Sequence, residues 1–159
     1  MFTGDRSGEF LYRALCEAGF ANQPQSDSRQ DGLTLTDAYI TAAARCVPPD
    51  NKPTREEVLA CRPFLERELL ILRNVRIIVA LGGIAFDAYL SVLQDRGAIR
   101  SRAQFHFGHG AVSKTHDGGP LVLSSYHPSQ QNTSTGRLTA EMLRNIFLQA
   151  RLLMDSAPA

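Results

Sequence analysis

The 159-residue chain has almost no net charge, with 17 Lys and Arg against 16 Asp and Glu. A near-neutral protein has no general electrostatic attraction for nucleic acid, so polyanion binding must come from a local patch. No apolar run approaches the roughly 20 residues that a membrane span needs, and residues 1–10 lack the layout of a signal peptide. We therefore expect one cytoplasmic domain over residues 1–159, because this length builds one ordinary core.

Only three cysteines are present, Cys16, Cys46 and Cys61. Without a visible export signal a disulfide framework is not expected, since disulfides belong mainly to secreted proteins. In a cytosolic protein, cysteines are better considered as ligands of a metal or an iron–sulfur cluster.

Hydrophobic periodicity predicts helices and strands in strict alternation. In chain order they are helix 8–19, strand 37–46, helix 54–72, strand 75–83, helix 84–96, strand 120–127 and a final helix capped by Thr139. Thr54 and Glu57 form a capping box, and Pro63 is expected to break or restart that helix after Cys61. Apolar strands alternating with helices predict an α/β fold, a three-layer α/β/α arrangement with a parallel sheet.

The stretch SSYHPSQQNTSTGRLT, residues 124–139, places a histidine at the end of a predicted strand. In open parallel sheets, ligands bind outside the carboxyl ends of the strands. Pro128 restricts His127 to an extended backbone and so directs its imidazole. The polar run that follows has two interpretations: a loop that contacts an acceptor-rich ligand such as a phosphate backbone, or a solvated loop.

Three stretches carry a resemblance to a known family: FTGDRSGEFLYRAL, YITAAARCVPPDNKPT and SYHPSQQNTSTGRLT. They resemble the uracil-DNA glycosylase superfamily, and within it the type 5, broad-specificity, iron–sulfur group. The aspartate of FTGD, and the lack of an asparagine after YIT, favour type 5 over the related type 4. The resemblance implies a monomeric DNA-repair hydrolase that cuts the N-glycosidic bond of uracil or other deaminated bases flipped out of double-stranded DNA.

The resemblance also assigns roles to four residues. Asp5 matches the family's catalytic acidic residue, which stabilises the sugar cation or activates water. His127 matches the catalytic donor that stabilises the negative charge of the departing base. Phe2 and Asn51 match base-binding residues, a stacking ring and a pocket amide. Without the family, Asp5 and Asn51 would be read as cap or turn residues, and Phe2 as core or disordered chain.

Residues 129–137 match the family's loop that enters the minor groove of DNA. The predicted DNA-binding residues are Ser129, Gln130, Gln131, Asn132, Thr133 and Arg137. Arg137 has an equally plain alternative as a solvated charge in front of the last helix.

Cys46 and Cys61 match the second pair of ligands of the family's 4Fe–4S cluster. The resemblance places the first pair, a Cys-x-x-Cys, in an N-terminal region that family members carry before FTGD, with a central strand and a glycine-rich loop. Cys16 matches no ligand and is read as structural. Only two of four ligands are therefore expected here, and no complete cluster on this chain.

Two hypotheses stay open. The first is a base-excision glycosylase whose true start lies upstream of Met1. The second is an N-terminally truncated, catalytically impaired fragment with at most weak DNA binding. The nucleotide sequence upstream of Met1 discriminates between them.

Overall fold

The structure is a computed structural model that describes residues 4–45 and 53–156. It separates into two compact units, one of Met1–Tyr39 with Ser125–Ala159 and one of Ile40–Ser124. We call them the terminal unit and the central unit. The elements in chain order are α1 (Arg6–Glu17), α2 (Arg55–Ile71), β1 (Ile77–Leu81), α3 (Gly83–Asp95), a 3-10 turn (Arg102–Gln104), β2 (Val112–Lys114), β3 (Leu121–Ser125), α4 (Gln130–Ser134) and α5 (Ala140–Ser156).

The predicted α/β class is confirmed, with four predicted helices and two predicted strands in place. The strand order is β1-β3-β2, and β2 pairs antiparallel to β3 with Val112 opposite Leu123. The described sheet is therefore small and mixed, not wholly parallel as the sequence predicted. The antiparallel strand β2 lies in a stretch that periodicity marked only as connecting chain.

The predicted strand over 37–46 is wrong for residues 37–45, which form no strand in the described chain. Asp37 adopts a positive φ of 55°, which interrupts extended backbone. Farther along, the side chains of Thr41 and Arg45 both bind the Glu68 carboxylate of α2. The segment is thus held by side chains on a helix, and an apolar pattern cannot distinguish this from strand pairing.

Pro63 does not break α2, which runs unbroken through it. The missing N–H removes one helical hydrogen bond, a defect that neighbouring contacts must offset. On one side of the proline, Arg62 binds Glu66 within α2 and Asp95 of α3. On the other, Leu65 is buried. Packing against α3 therefore overrides the local signal.

Each unit has its own apolar core. In the terminal unit α1 packs on α5, and in the central unit α3 packs on β1 and α2. The buried side chains of these elements include Leu11, Leu15, Leu143, Ile146, Phe86, Leu90 and Val92, and Val122 of β3 joins the cluster around Phe86. No helix in the described ranges is long and apolar enough to cross a membrane. Whether the chain folds as a single domain stays a prediction.

Candidate active site

The first site residue, Asp5, caps α1. Its Oδ1 accepts a hydrogen bond from the backbone N–H of Gly8 at 2.6 Å, and its own carbonyl accepts from Glu9 at 3.1 Å. Gly4 enters the cap with a φ of 70°, a conformation that glycine adopts without strain. Helix α1 thus begins two residues earlier than the sequence predicted.

The second site residue, His127, follows β3 and belongs to the same terminal unit as Asp5. Both peptide groups that flank it are held by side chains. Ser125 Oγ donates to the carbonyl of Tyr126 at 3.0 Å, and Asn132 Nδ2 donates to the carbonyl of His127 at 2.9 Å. Pro128 is fully buried. The backbone at His127 is therefore anchored on both sides.

Burial lowers the pKa of His127 below its ordinary value of 6.5, and the negative charge of Asp5 acts in the opposite direction. Because burial is the larger effect, the imidazole is neutral at neutral pH. Asp5 and His127 are thus electrostatically coupled within one unit. The pair combines a carboxylate with a neutral imidazole, and the catalytic roles that the sequence assigns to the two residues stay predictions.

The polar run 129–137 is a short helix and a turn, and much of its polarity is used internally. Ser129 caps α4, and the Thr133 hydroxyl donates to the carbonyl of Ser129 at 3.2 Å. Thr135 donates to the carbonyl of Gln131 at 2.7 Å. In contrast, the residues Gln130 and Gln131 are exposed at the start of α4. The predicted DNA-binding residues therefore divide into an inward and an outward set.

A groove of about 630 Å³ connects this loop to the start of α1. Arg6, the residue after Asp5, lines it together with Thr133 and Ser134 of α4. Arg13 and Arg144 lie farther along the groove and both pair with Glu17, at 3.7 and 3.9 Å. The groove therefore places the polar loop beside the N-terminus of α1, which Asp5 caps.

Tyr126 is a residue that the sequence reasoning missed. Arg137 lies over its ring, with the guanidinium carbon 4.6 Å from the ring centroid. An aromatic residue directly before His-Pro was the signal available in the sequence. Arg137 is exposed but contacts the chain through this stacking.

Phe2, Asn51 and Cys46 lie outside the described residues, so their predicted roles stay predictions. Cys61 is buried on α2, and its Sγ accepts the backbone N–H of Arg45 at 3.2 Å. Such a hydrogen bond suits a thiolate ligand. Cys16, on α1, is half-buried.

The chain's own residues do not fit a four-thiolate cluster. Its 159 residues hold three cysteines in all. Within 4–45 and 53–156, no group of three or more His, Cys, Asp and Glu could hold a metal ion. We therefore derive no chemical step through an iron–sulfur cluster.

The burial of His127 predicts a pH dependence of stability. Its pKa is lowered in the folded state, so the unfolded chain binds more protons just below pH 6.5. The free energy of unfolding should therefore fall as pH drops through this window. His127→Gln should flatten that part of the curve in urea titrations. The matched variant at exposed His106, His106→Gln, should not, and equal curves for the two variants would contradict the prediction.

The geometry defines an α/β protein with a helix-capping aspartate and a neutral, half-buried histidine after a strand. The sequence model of the Uracil DNA glycosylase superfamily matches residues 1–151, so the chain belongs to that superfamily. It is 47% identical over 154 residues to the "Type-5 uracil-DNA glycosylase" of Mycobacterium bovis, covering 96% of this chain and 56% of that protein. A Thermus thermophilus protein with the same name is 47% identical over 152 residues, covering 96% and 66%.

Similarity to type 4 proteins is less extensive. The "Type-4 uracil-DNA glycosylase" of Saccharolobus solfataricus is 42% identical over 103 residues, 62% of this chain and 44% of that protein. The predicted resemblance to the type 5 group is therefore confirmed. The chain spans between about half and two thirds of the length of these type 5 relatives.

Proposed function

We propose that the protein is a DNA-repair glycosylase that hydrolyses the N-glycosidic bond of uracil flipped out of duplex DNA. One observation carries the proposal: Asp5 and His127, the two residues that match the family's catalytic positions, lie in the same compact unit, where the charge of Asp5 acts on the His127 imidazole. Membership of the superfamily and the names of the type 5 relatives support it.

The proposed reaction breaks the bond between C1′ of deoxyribose and N1 of uracil. The bonding electrons leave with the base, and the sugar gains oxocarbenium character. Asp5 stabilises this cation or takes a proton from the water that adds to C1′. His127 donates a hydrogen bond to the uracil carbonyl on which the negative charge develops. The products are an abasic site and free uracil, and the uracil anion recovers its proton from solvent.

The cap of α1 suits Asp5 to its proposed role. The hydrogen bond from the Gly8 N–H fixes the position of the carboxylate at the N-terminus of α1, where we propose that it faces the sugar cation. His127 suits the opposite role, because a neutral imidazole donates a hydrogen bond without carrying its own charge into the site.

We propose double-stranded DNA as the binding partner, contacted by the outward side chains Gln130 and Gln131. Neutral amides of this kind can form hydrogen bonds with phosphates, sugars and the base edges in the groove, and they add no charge–charge attraction. Few cations contribute, so we propose that binding depends only moderately on salt. The base-binding roles of Phe2 and Asn51, the cytoplasmic location and the monomeric state belong to the same proposal.

The test is the release of free base from a 5′-labelled duplex that holds one uracil, with a thymine duplex as control. The 159-residue chain and any longer product of its reading frame are both assayed. We expect free uracil and an alkali-labile abasic site from the uracil duplex alone. DNA binding without release from either form would favour the impaired-fragment hypothesis and overturn the proposal.

A further inference from the structure

Asn132 of α4 and Arg137 at the end of the polar loop both contact the segment around His127. Arg137 stacks on the ring of Tyr126, the residue that precedes His127, at 4.6 Å. Asn132 donates its side-chain N–H to the carbonyl of His127 at 2.9 Å. Both side chains thus contact the strand end and turn toward the protein.

The two peptide groups beside His127 fix its backbone torsions. The carbonyl of Tyr126 belongs to the peptide before His127, and the carbonyl of His127 belongs to the peptide after it. Each accepts a side-chain hydrogen bond, from Ser125 and Asn132 respectively. The cation–π contact of Arg137 with the Tyr126 ring is a third interaction that restrains this segment.

The loop that carries these two residues is itself anchored. The backbone N–H of Leu138 donates to the carbonyl of Asn132 at 3.1 Å, and Leu138 is completely buried. Arg137 is therefore attached to a fixed point of the core next to its stacking partner. The loop thus contacts the segment around His127 both at the His127 carbonyl, through Asn132, and at the Tyr126 ring, through Arg137.

We propose that Asn132 and Arg137 are positioning residues that hold His127 in its reactive orientation through its backbone and through Tyr126. This rests on the proposed role of His127, and it replaces the direct DNA contacts predicted for these two side chains. A misplacement of about 1 Å in a reacting group lowers a rate by up to roughly 100-fold. Loss of either residue should therefore act on the chemical step.

The kinetic test compares Arg137→Met with Arg144→Met, an arginine on α5 in the groove. Arg137→Met should slow single-turnover uracil release at saturating duplex by about 10-fold or more. The duplex affinity of Arg137→Met, and the dependence of that affinity on salt concentration, should match those of the parent protein. A phosphate contact would give the reverse, with an unchanged rate and a salt slope lower by about one. That outcome would overturn the proposal for Arg137.

A double-mutant cycle tests the route through Tyr126. If Arg137 acts by stacking, Arg137→Met should cause little further loss in a Tyr126→Leu background. Additive losses would contradict this route. For Asn132, replacement by alanine should slow release and leave duplex affinity unchanged, whereas a change in affinity alone would indicate a DNA contact.

A readout without catalysis separates this proposal from the proposed function. With [15N]histidine labelling, the imidazole signals of His127 are followed in the free protein. Asn132→Ala and Arg137→Met should shift or broaden these signals and leave those of His116 in place. Unchanged His127 signals in both variants would overturn the positioning role even if the parent releases uracil. If the two substitutions shift the His127 signals but the parent protein releases no uracil, the proposed function is wrong and the positioning role still stands.

Discussion

His127→Ala is expected to slow single-turnover uracil release by about 10²–10³-fold, the loss seen when one donor to a developing oxyanion is removed. The substitution removes the only part of His127 that can polarise the departing base. Duplex affinity should change little, because the outward side chains of α4 remain. Rapid quench under enzyme excess measures the rate, and filter binding measures the affinity.

The matched variant is His127→Gln, which keeps a side-chain donor of similar reach. Its loss should be smaller than that of His127→Ala. Thermal unfolding of both variants checks that the fold is intact. An unchanged release rate in a folded His127→Ala protein would contradict the assignment.

Asp5→Asn is expected to lower the same rate by about 10²–10⁴-fold, the usual contribution of a positioned acid–base group. The structure makes this variant a clean test of charge. The amide oxygen can accept the Gly8 N–H as the carboxylate does, so the cap of α1 is kept. Stability should therefore stay close to that of the parent.

Asp5→Ala is the comparison that separates cap from chemistry. It removes both the cap of α1 and the catalytic carboxylate. We therefore expect slower uracil release together with a free energy of unfolding that is lower by about 1 kcal/mol. If Asp5→Asn were as active as the parent while Asp5→Ala was unstable, Asp5 would be a helix cap alone.

Much of the fold could be read from local signals. The capping box of Thr54 and Glu57 forms as predicted, and the strand at 77–81 lies within its predicted range. The failures have a common physical cause. Thr41 is held by Glu68, 27 residues away, and such distant contacts leave no mark on hydrophobic periodicity. Tertiary packing likewise overrides the helix-breaking tendency of Pro63, so α2 continues through it.

The candidate site likewise combines residues that the sequence motifs singled out with contacts that the motifs did not reveal. The motifs brought Asp5 and His127 forward, and the structure couples the two electrostatically. Composition, however, could not show which way the polar side chains point. Asn132 and Arg137 contact His127 and Tyr126 in the folded chain, and the prediction that they bind DNA stays a prediction. The backbone N–H of buried Leu138 donates to the carbonyl of Asn132, and only the folded chain reveals this anchor of the loop.

If His127 donates a hydrogen bond to the uracil base, its imidazole signals must respond when uracil binds. NMR of the histidine-labelled protein measures this response directly. The chain has four histidines, so [15N]histidine labelling limits the imidazole spectrum to these four side chains. The slow variant Asp5→Asn is titrated with a uracil duplex and with the same duplex carrying thymine. We expect a large shift of the His127 imidazole signals with the uracil duplex only, and no shift at His106 or His116. Equal shifts with both duplexes, or no shift at His127, would contradict this expectation.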